Sequence, residues 1–245
     1  MIYTRDYEVA FEDCENSMKM SLKGILRAIE NVASLHSDRA NDNVIDSSVN
    51  NGITWVIVEW NMKLLRVPDY CEKVTVSTWS YMADNTRSVK RGALICDRDG
   101  KHLVEVLIKF MLIDRKTGLP LRITEDIIEK YKPEDKSVYD ETTLGIVHEP
   151  KEFEREVILP LRRSDIDFNE HVHNLNYLDF ALEALPEDVY KKNNYSNMRI
   201  IYRRAMKLSD VAAVCKYSRD DKKHTVCMYS KESGALMCIV VLNER

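Results

Sequence analysis

Hydrophobic residues recur at helical spacing in two places along the chain. They are Leu22, Ile25, Ile29 and Val32 in the first half, and Leu175, Leu178, Leu182 and Leu185 in the second. Because residues three or four positions apart share one face of a helix, each set predicts a helix with one apolar face. Pro186 follows the second set directly and predicts the end of that helix, since proline removes a backbone donor.

Strand-like segments surround each predicted helix in the same order. A run at residues 3–11 precedes the first helix, a run at 156–163 precedes the second, and several β-rich segments follow each one. The last two segments of each half are separated by a turn pattern, at 98–100 and at 231–234. One helix laid on a bent antiparallel sheet is a two-layer α+β unit, so the repeat predicts two such units in one chain.

The predicted domain boundaries follow the change in composition between the halves. Residues 1–123 form the N-terminal unit, 124–154 a mostly charged linker with Pro133 and Pro150, and 155–245 the C-terminal unit. A second polar stretch at 37–52 is longer than the usual connection of about 4 to 6 residues. It is interpreted either as a mobile cover over a pocket or as a solvated insertion.

Composition narrows the function classes. The 245 residues are 44% hydrophobic and 31% charged, with a net charge of -4, so there is no basic excess of the kind that favours nucleic-acid binding. No apolar run approaches the roughly 20 residues that span a bilayer. The first residues also lack the apolar stretch of a signal peptide. We therefore expect a cytoplasmic protein without a membrane span or a nucleic-acid partner.

The strongest chemical pattern lies just before the second predicted helix. Asp167, Asn169 and His171 have a spacing of two, which would place them on one side of an extended segment. A carboxylate that orients water, an amide that holds a carbonyl and an imidazole that titrates near neutrality suffice for acid–base chemistry on an activated acyl group. Taken singly, the Asp and Asn are typical of helix caps and the His of a surface residue.

Two other kinds of chemistry are less favoured. The six cysteines form no CxxC pair and no metal-ligand spacing, so we expect them to be reduced and mostly buried. Cys14 and Cys215 are kept as candidate nucleophiles, although a thiol needs a nearby base to ionise. A metal shared by His171 and His173 would require an extended segment, because residues two apart on a helix diverge. We expect neither a metal nor a cofactor.

The stretch DIDFNEHVHNLNY at residues 165–177 resembles the signature stretch of the acyl-acyl carrier protein (acyl-ACP) thioesterase family, bacterial type. Residues 55–58, 66–69, 74–79 and 110–118 resemble, in order, the first-half strands of the same family. The resemblance covers nearly the whole chain. It implies a double hotdog fold and hydrolysis of fatty acyl-ACP in fatty acid biosynthesis, with Asp167, Asn169 and His171 as the catalytic residues.

The substrate pocket is expected in the first half. Aligning the halves on their helical faces pairs Asp167 with Cys14, Asn169 with Asn16, and His171 with Met18. Only the second half then keeps the carboxylate and the imidazole, which leaves the first half free to hold the acyl chain. Together with two positions inside the resembling stretches, the predicted substrate-binding residues are Met18, Met20, Trp55 and Asn174.

The chain departs from the family pattern at Ala205 and Met206. Related thioesterases carry a glutamate there, often followed by a cysteine, directly after the Tyr-Arg-Arg segment. A non-hydrolytic module that binds acyl chains or ACP, and an acyl-CoA thioesterase, therefore stay as alternatives. For hydrolysis, we expect the start of the second helix to stabilise the developing negative charge, while Asp167 and His171 share the proton transfers. Which of the two is the base is left open.

Local charge bears on the partner. ACP is acidic, and basic residues recur in the second half of the chain, where we predict Arg204 and Lys207 as the docking residues. Each basic residue taken alone is equally typical of a solvated surface. A homodimer is left open as well.

Overall fold

The computed structural model describes residues 1–42, 52–81, 87–139 and 145–245. The chain divides into two compact units, unit 1 (Met1–Glu141) and unit 2 (Thr142–Arg245). Most of the polar stretch predicted at 37–52 lies outside the described residues. Its beginning is helical, because the first helix continues to Arg39. No helix among the described residues combines the length and apolar character that a membrane crossing requires.

Unit 1 lays one long helix on a five-stranded antiparallel sheet. The sheet order is β1-β3-β4-β5-β2, and the long helix α1 packs mainly on β3 and β1. The elements are β1 (Tyr3–Glu8), α1 (Leu22–Arg39), β2 (Ile53–Leu64), β3 (Lys73–Ser80), β4 (Val89–Cys96), β5 (His102–Asp114) and α2 (Glu125–Glu129).

Unit 2 repeats this topology with a shorter helix. Its sheet order is β6-β8-β9-β10-β7, and α3 contacts β8, β6, β9 and β10. The elements are β6 (Arg155–Pro160), α3 (Asn176–Ala184), α4 (Glu187–Lys192), β7 (Tyr195–Tyr202), β8 (Ala212–Asp220), β9 (Lys223–Ser230) and β10 (Leu236–Glu244). The predicted pair of α+β units is confirmed.

Both predicted helices form where the hydrophobic spacing places them. In α1 the apolar face is buried, and Ser21 Oγ caps the first turn by accepting the N–H of Gly24 at 2.9 Å. In unit 2 the helix ends at Ala184, with Leu185 as its C-cap directly before Pro186, as predicted. Gly24 also permits close packing, because a Cβ there would lie 2.5 Å from the carbonyl oxygen of Asp13.

The predicted linker contains ordered segments that pack on both units. In unit 1, the indole N–H of Trp79 donates to the carbonyl of Lys136 at 2.7 Å. In unit 2, Val147 and Phe153 pack against an apolar cluster on the sheet, and Arg199 donates to the carbonyl of Gly145 at 2.8 Å. The division of the chain into units 1 and 2 falls inside this segment, and its role as a linker stays a prediction.

Substituting Gly92 by Ala tests the packing of the linker segment on unit 1. A Cβ at Gly92 would lie 2.6 Å from the Trp79 ring and 2.7 Å from Val138. We expect the free energy of unfolding to fall by about 1 to 3 kcal/mol, because the buried ring has little room to move. Chemical denaturation measures this directly.

Gly145→Ala is the matched control, since a Cβ there meets no atom within 4 Å. Equal stability of the two variants would contradict the packing of Trp79 and Val138 around Gly92.

Candidate active site

The predicted catalytic residues lie on a tight turn that precedes α3. Ile166 and Val172 form an antiparallel bridge, and the Asp167 N–H donates to the carbonyl of His171 at 2.8 Å. Glu170 has a φ of 63°, the left-handed conformation that reverses the chain. The expectation of an extended segment is therefore wrong, although the turn still gathers the predicted residues.

Asp167 organises this turn from inside. Its Oδ1 accepts the backbone N–H of Asn169 at 2.8 Å and that of His171 at 3.3 Å. The carboxylate thus caps the turn and not helix α3, which begins only at Asn176. The side chains of Asp167, Asn169 and His171 are all half-buried. The geometry therefore brings a carboxylate, an amide and an imidazole together within one turn.

Asn169 supplies an open acceptor in the same turn. Its Oδ1 is buried and has no hydrogen-bond partner among the described residues. Such an atom loses its hydration without compensation, which typically costs about 1 to 3 kcal/mol. A bound water or substrate donor would satisfy it, so the amide is suited to hold a ligand.

The start of α3 is less open than the sequence suggested. The N–H of Leu175 donates to His173 Nδ1 at 3.3 Å, and the N–H of Asn176 donates to the His173 carbonyl at 2.9 Å. His173 is half-buried, and its ring caps the backbone at the start of α3. The helix start therefore has fewer free donors for a developing negative charge.

Two tyrosines, which sequence reasoning missed, connect the turn to the segment after β7. Tyr177 OH accepts the N–H of Met206 at 2.7 Å, and the Met206 carbonyl accepts the N–H of Val172 at 2.8 Å. Tyr202 OH donates to the Asn174 carbonyl at 2.8 Å, and the two rings meet edge to face. Burial raises the pKa of Tyr177, so it stays a neutral phenol.

Ala205 is exposed and directly precedes Met206, whose carbonyl accepts the N–H of Val172 in the turn. The position of the family glutamate is thus adjacent to the candidate site, and it carries no carboxylate in this chain.

Unit 1 contains a turn of the same backbone geometry. Cys14 and Met20 form the bridge, and the Glu15 N–H donates to the carbonyl of Lys19 at 2.9 Å. Met18 takes the left-handed conformation with a φ of 59°, as Glu170 does in unit 2. The hydrogen bonds therefore match Asp167 with Glu15, Asn169 with Ser17, and His171 with Lys19.

The predicted alignment of the halves is thus wrong by one position. An apolar helical face is wide enough to accept a shift of one residue, whereas the bridge and its hydrogen bonds fix the register. Unit 1 does keep a carboxylate, Glu15. In place of the imidazole it has Lys19, whose Nζ forms an ion pair with Asp69 at 2.6 Å. The turn of unit 1 therefore has no imidazole.

The other predicted site residues occupy varied environments. In unit 1, Met18 is exposed, Met20 is buried, and the half-buried Trp55 donates its indole N–H to Asp42 at 2.8 Å. In unit 2, Asn174 is half-buried two residues before α3 begins. Arg204 and Lys207 are both exposed on the connection between β7 and β8.

Neither candidate cysteine is primed as a nucleophile. Burial raises the pKa of Cys215 to about 12. The pKa of Cys14 is also raised, by desolvation and by the neighbouring Asp13. All six cysteines are unpaired thiols. In the part of the chain that the structure describes, no group of three metal-binding side chains lies together.

A buried polar cluster in unit 1 offers no comparable chemistry. Arg91 Nη1 lies 2.9 Å from His36 Nδ1, and Tyr131 OH donates to Ser37 Oγ at 3.1 Å. Burial lowers the pKa of His36 to about 4, and the charge of Arg91 adds to the shift. His36 is therefore neutral near pH 7, and its imidazole is fully buried.

Family models match most of the chain. The model for the acyl-ACP thioesterase N-terminal domain matches residues 1–131, and the model for the C-terminal domain matches residues 148–238. Their boundaries leave residues 132–147 between the matches.

Curated relatives are chloroplast enzymes. The chain is 21% identical over 170 residues to the oleoyl-acyl carrier protein thioesterase 2 of Arabidopsis thaliana, covering 65% of this chain and 46% of that protein. It is 23% identical over 169 residues to the dodecanoyl-[acyl-carrier-protein] hydrolase of Cinnamomum camphora, covering 65% and 43%. The chain thus spans about half the length of the curated relatives it matches.

Solved structures share the fold along the whole chain. The 12:0-ACP thioesterase from Umbellularia californica matches with a TM-score of 0.89 at 15% identity, covering 100% of this chain and 97% of that one. An acyl-ACP thioesterase from Bacteroides thetaiotaomicron matches with a TM-score of 0.80 at 17% identity, covering 99% and 97%. The predicted α+β double hotdog fold is confirmed.

Replacing Asp167 tests whether its carboxylate holds the turn. In Asp167→Ala we expect faster hydrogen exchange at the amides of Asn169 and His171, because both lose their acceptor. Asp167→Asn retains a side-chain oxygen and should preserve much of the protection. Residue-resolved exchange by NMR measures the effect, and unchanged exchange in Asp167→Ala would contradict the capping role.

Proposed function

The chain belongs to the acyl-ACP thioesterase family, and we propose that it hydrolyses fatty acyl-ACP to free fatty acid and ACP in fatty acid biosynthesis. The observation that carries the proposal is the turn of unit 2, where Asp167 binds the amides of Asn169 and His171 beside the open Asn169 acceptor. The resemblance assigns catalysis to the same three residues.

The proposed reaction uses water as the nucleophile. The water oxygen bonds to the thioester carbon, one water proton passes to Asp167 or His171, and the C–S bond breaks as the tetrahedral intermediate collapses. The departing phosphopantetheine thiolate takes up a proton, which His171 is suited to deliver. The products are a carboxylic acid and a thiol, and this hydrolysis needs no reactant besides the thioester and water.

Asn169 has two groups with distinct uses. Its buried Oδ1 can only accept, so it suits the attacking water, whereas Nδ2 can donate to the thioester oxygen as negative charge develops there. The position of Asp167 on two backbone amides keeps its carboxylate within the turn. The other carboxylate oxygen of Asp167, Oδ2, is the one suited to accept a hydrogen bond from the attacking water.

ACP is the proposed partner because the family acts on acyl groups carried by it. Arg204 and Lys207 lie on the connection whose Met206 carbonyl holds the N–H of Val172 at 2.8 Å. Basic side chains beside the turn would attract an acidic carrier and bring its acyl arm towards the site. We propose these two residues as docking contacts, with Met18, Met20, Trp55 and Asn174 as the substrate-binding residues.

Ala205 favours the second candidate function, a non-hydrolytic module that binds acyl chains or ACP. Without the family glutamate, activation of water falls to the turn alone. A thioester is intrinsically reactive, so the turn can still support hydrolysis at a reduced rate. An acyl-CoA thioesterase is the third candidate, and a cytoplasmic location and a homodimer stay predictions.

Removing either proton-transfer group tests hydrolysis at this turn. In Asp167→Ala and in His171→Ala, we expect kcat for fatty acid release to fall by about 100- to 10,000-fold, the usual value of a positioned acid or base. Release is measured on a panel of acyl-ACP substrates of different chain length, at matched concentrations of folded protein. Acyl-CoA of the same chain lengths serves as the competing substrate.

The outcomes separate the candidate functions. Wild-type protein that binds acyl-ACP but releases no fatty acid would establish the binding module. Faster release from acyl-CoA than from acyl-ACP would favour the third candidate.

Charge reversal tests docking. We expect Arg204→Glu and Lys207→Glu to lower kcat/KM for acyl-ACP about tenfold at low ionic strength, because steering of the acidic carrier is lost. Turnover of a small acyl thioester should not change. Lys223→Glu is the matched control, since Lys223 is exposed at the opposite end of strands β8 and β9. Equal losses on both substrates would reject a docking role.

A further inference from the structure

A buried carboxylate stands at the same place in both units, between the edge strand and the turn. Asp13 and Asp165 are each 1% exposed. Asp13 Oδ2 accepts the N–H of Ala10 at 3.3 Å, and Asp165 Oδ2 accepts the N–H of Arg162 at 2.7 Å. Each carboxylate therefore fixes the chain where it enters the turn.

Each carboxylate also has an arginine partner. Arg162 reaches Asp165 Oδ1 with Nε at 3.2 Å and Nη2 at 2.8 Å. Arg27, on helix α1, reaches Asp13 Oδ1 with Nε at 3.1 Å and also with Nη2. In each unit the two charge-assisted hydrogen bonds converge on one carboxylate oxygen, which restricts direction as well as distance.

The backbone of the same residue holds the other end of the turn. The Asp165 carbonyl accepts the N–H of His173 at 2.8 Å and the side-chain amide of Asn176 at 3.1 Å. Asp165 thus binds residues on both sides of the segment that contains Asp167 and His171. A shift of Asp165 would move both ends of the catalytic turn.

Unit 1 has the corresponding connections around a turn that lacks the histidine, and its Asp13 also accepts the hydroxyl of Tyr7. The Asp13 carbonyl accepts the N–H of Ser21 at 2.8 Å and its hydroxyl at 2.9 Å. Helix α1 approaches this carbonyl through Gly24, whereas α3 reaches Asp165 through the Asn176 side chain. Variants of unit 1 can therefore serve as controls, because they remove the same kind of buried carboxylate without affecting a turn that contains a histidine.

We infer that Asp165, held by Arg162, is a positioning residue that fixes Asp167 and His171 in their catalytic arrangement. The inference rests on the proposed hydrolysis at this turn. Asp165 is buried and acts through the backbone, without contact with the reacting atoms. Its loss would leave the catalytic groups present but displaced, and a displacement of about 1 Å can lower a rate by about 100-fold.

The test compares Asp165→Asn with Asp13→Asn. Asparagine has the same size as aspartate, but it removes the negative charge. Its side-chain NH2 group would also face the arginine and backbone N–H groups that donate to the carboxylate. We expect both variants to lose thermal stability, Asp13→Asn at least as much as Asp165→Asn, because Tyr7 OH also donates to Asp13. Only Asp165→Asn should lower kcat for acyl-ACP, by about 100-fold, with KM within about twofold of the wild type. Both are assayed at temperatures where the protein is folded.

A second pair leaves the buried carboxylates in place. Arg162 is 65% exposed, so Arg162→Gln should fold, and Arg27→Gln is its control. Arg162→Lys retains the charge without the paired hydrogen bonds and should restore part of kcat. Amide exchange at Asn169 and His171 should be faster in Asp165→Asn and Arg162→Gln, and unchanged in the unit 1 variants.

The outcomes are distinguishable. An inactive wild type would overturn the proposed function and this inference with it. An active wild type whose Asp165→Asn and Arg162→Gln variants keep their kcat would overturn only the positioning role. Equal loss of kcat in the unit 1 and unit 2 variants would show a general effect of stability, which also overturns it.

Discussion

The pairing of a buried aspartate with an arginine at the strand-to-turn junction is the interaction on which each unit depends. A carboxylate removed from water is costly unless charge and hydrogen bonds compensate it. Asp13 and Asp165 both obtain an arginine, a backbone N–H and a fixed place against the following helix. This requirement fixes the backbone of the turn, and the side chains that the turn carries can then differ between the units.

The turns of the two units differ in only a few side chains, but these side chains have different chemistry. Each turn has a carboxylate at its first position, but His171 in unit 2 corresponds to Lys19 in unit 1. An imidazole can both accept and donate a proton in general acid–base chemistry, whereas the Lys19 ammonium is held in an ion pair with Asp69. Only the turn of unit 2 also has the buried amide oxygen of Asn169 without a partner among the described residues. The proposed chemistry therefore belongs to unit 2.

The helices and strands could be predicted from local sequence patterns, whereas the geometry of the candidate site could not. Helical faces such as Leu22 and Ile25 are local patterns, and Pro186 is a local stop, so both helices were predictable. The tight turn was missed because a spacing of two suits a strand as well as a turn, and the left-handed Glu170 gives no clear signal. Tyr177 and Tyr202 were missed because their hydrogen bonds join segments distant in sequence.

The most direct measurement compares two double variants with the wild type in fatty acid release from acyl-ACP. One is Asp167→Ala with His171→Ala in unit 2, and the other is Glu15→Ala with Lys19→Ala at the matching positions of unit 1. A catalytic turn in unit 2 predicts that release collapses in the first variant and stays near the wild-type rate in the second. Equal release by all three proteins, at equal folded concentration, would contradict it.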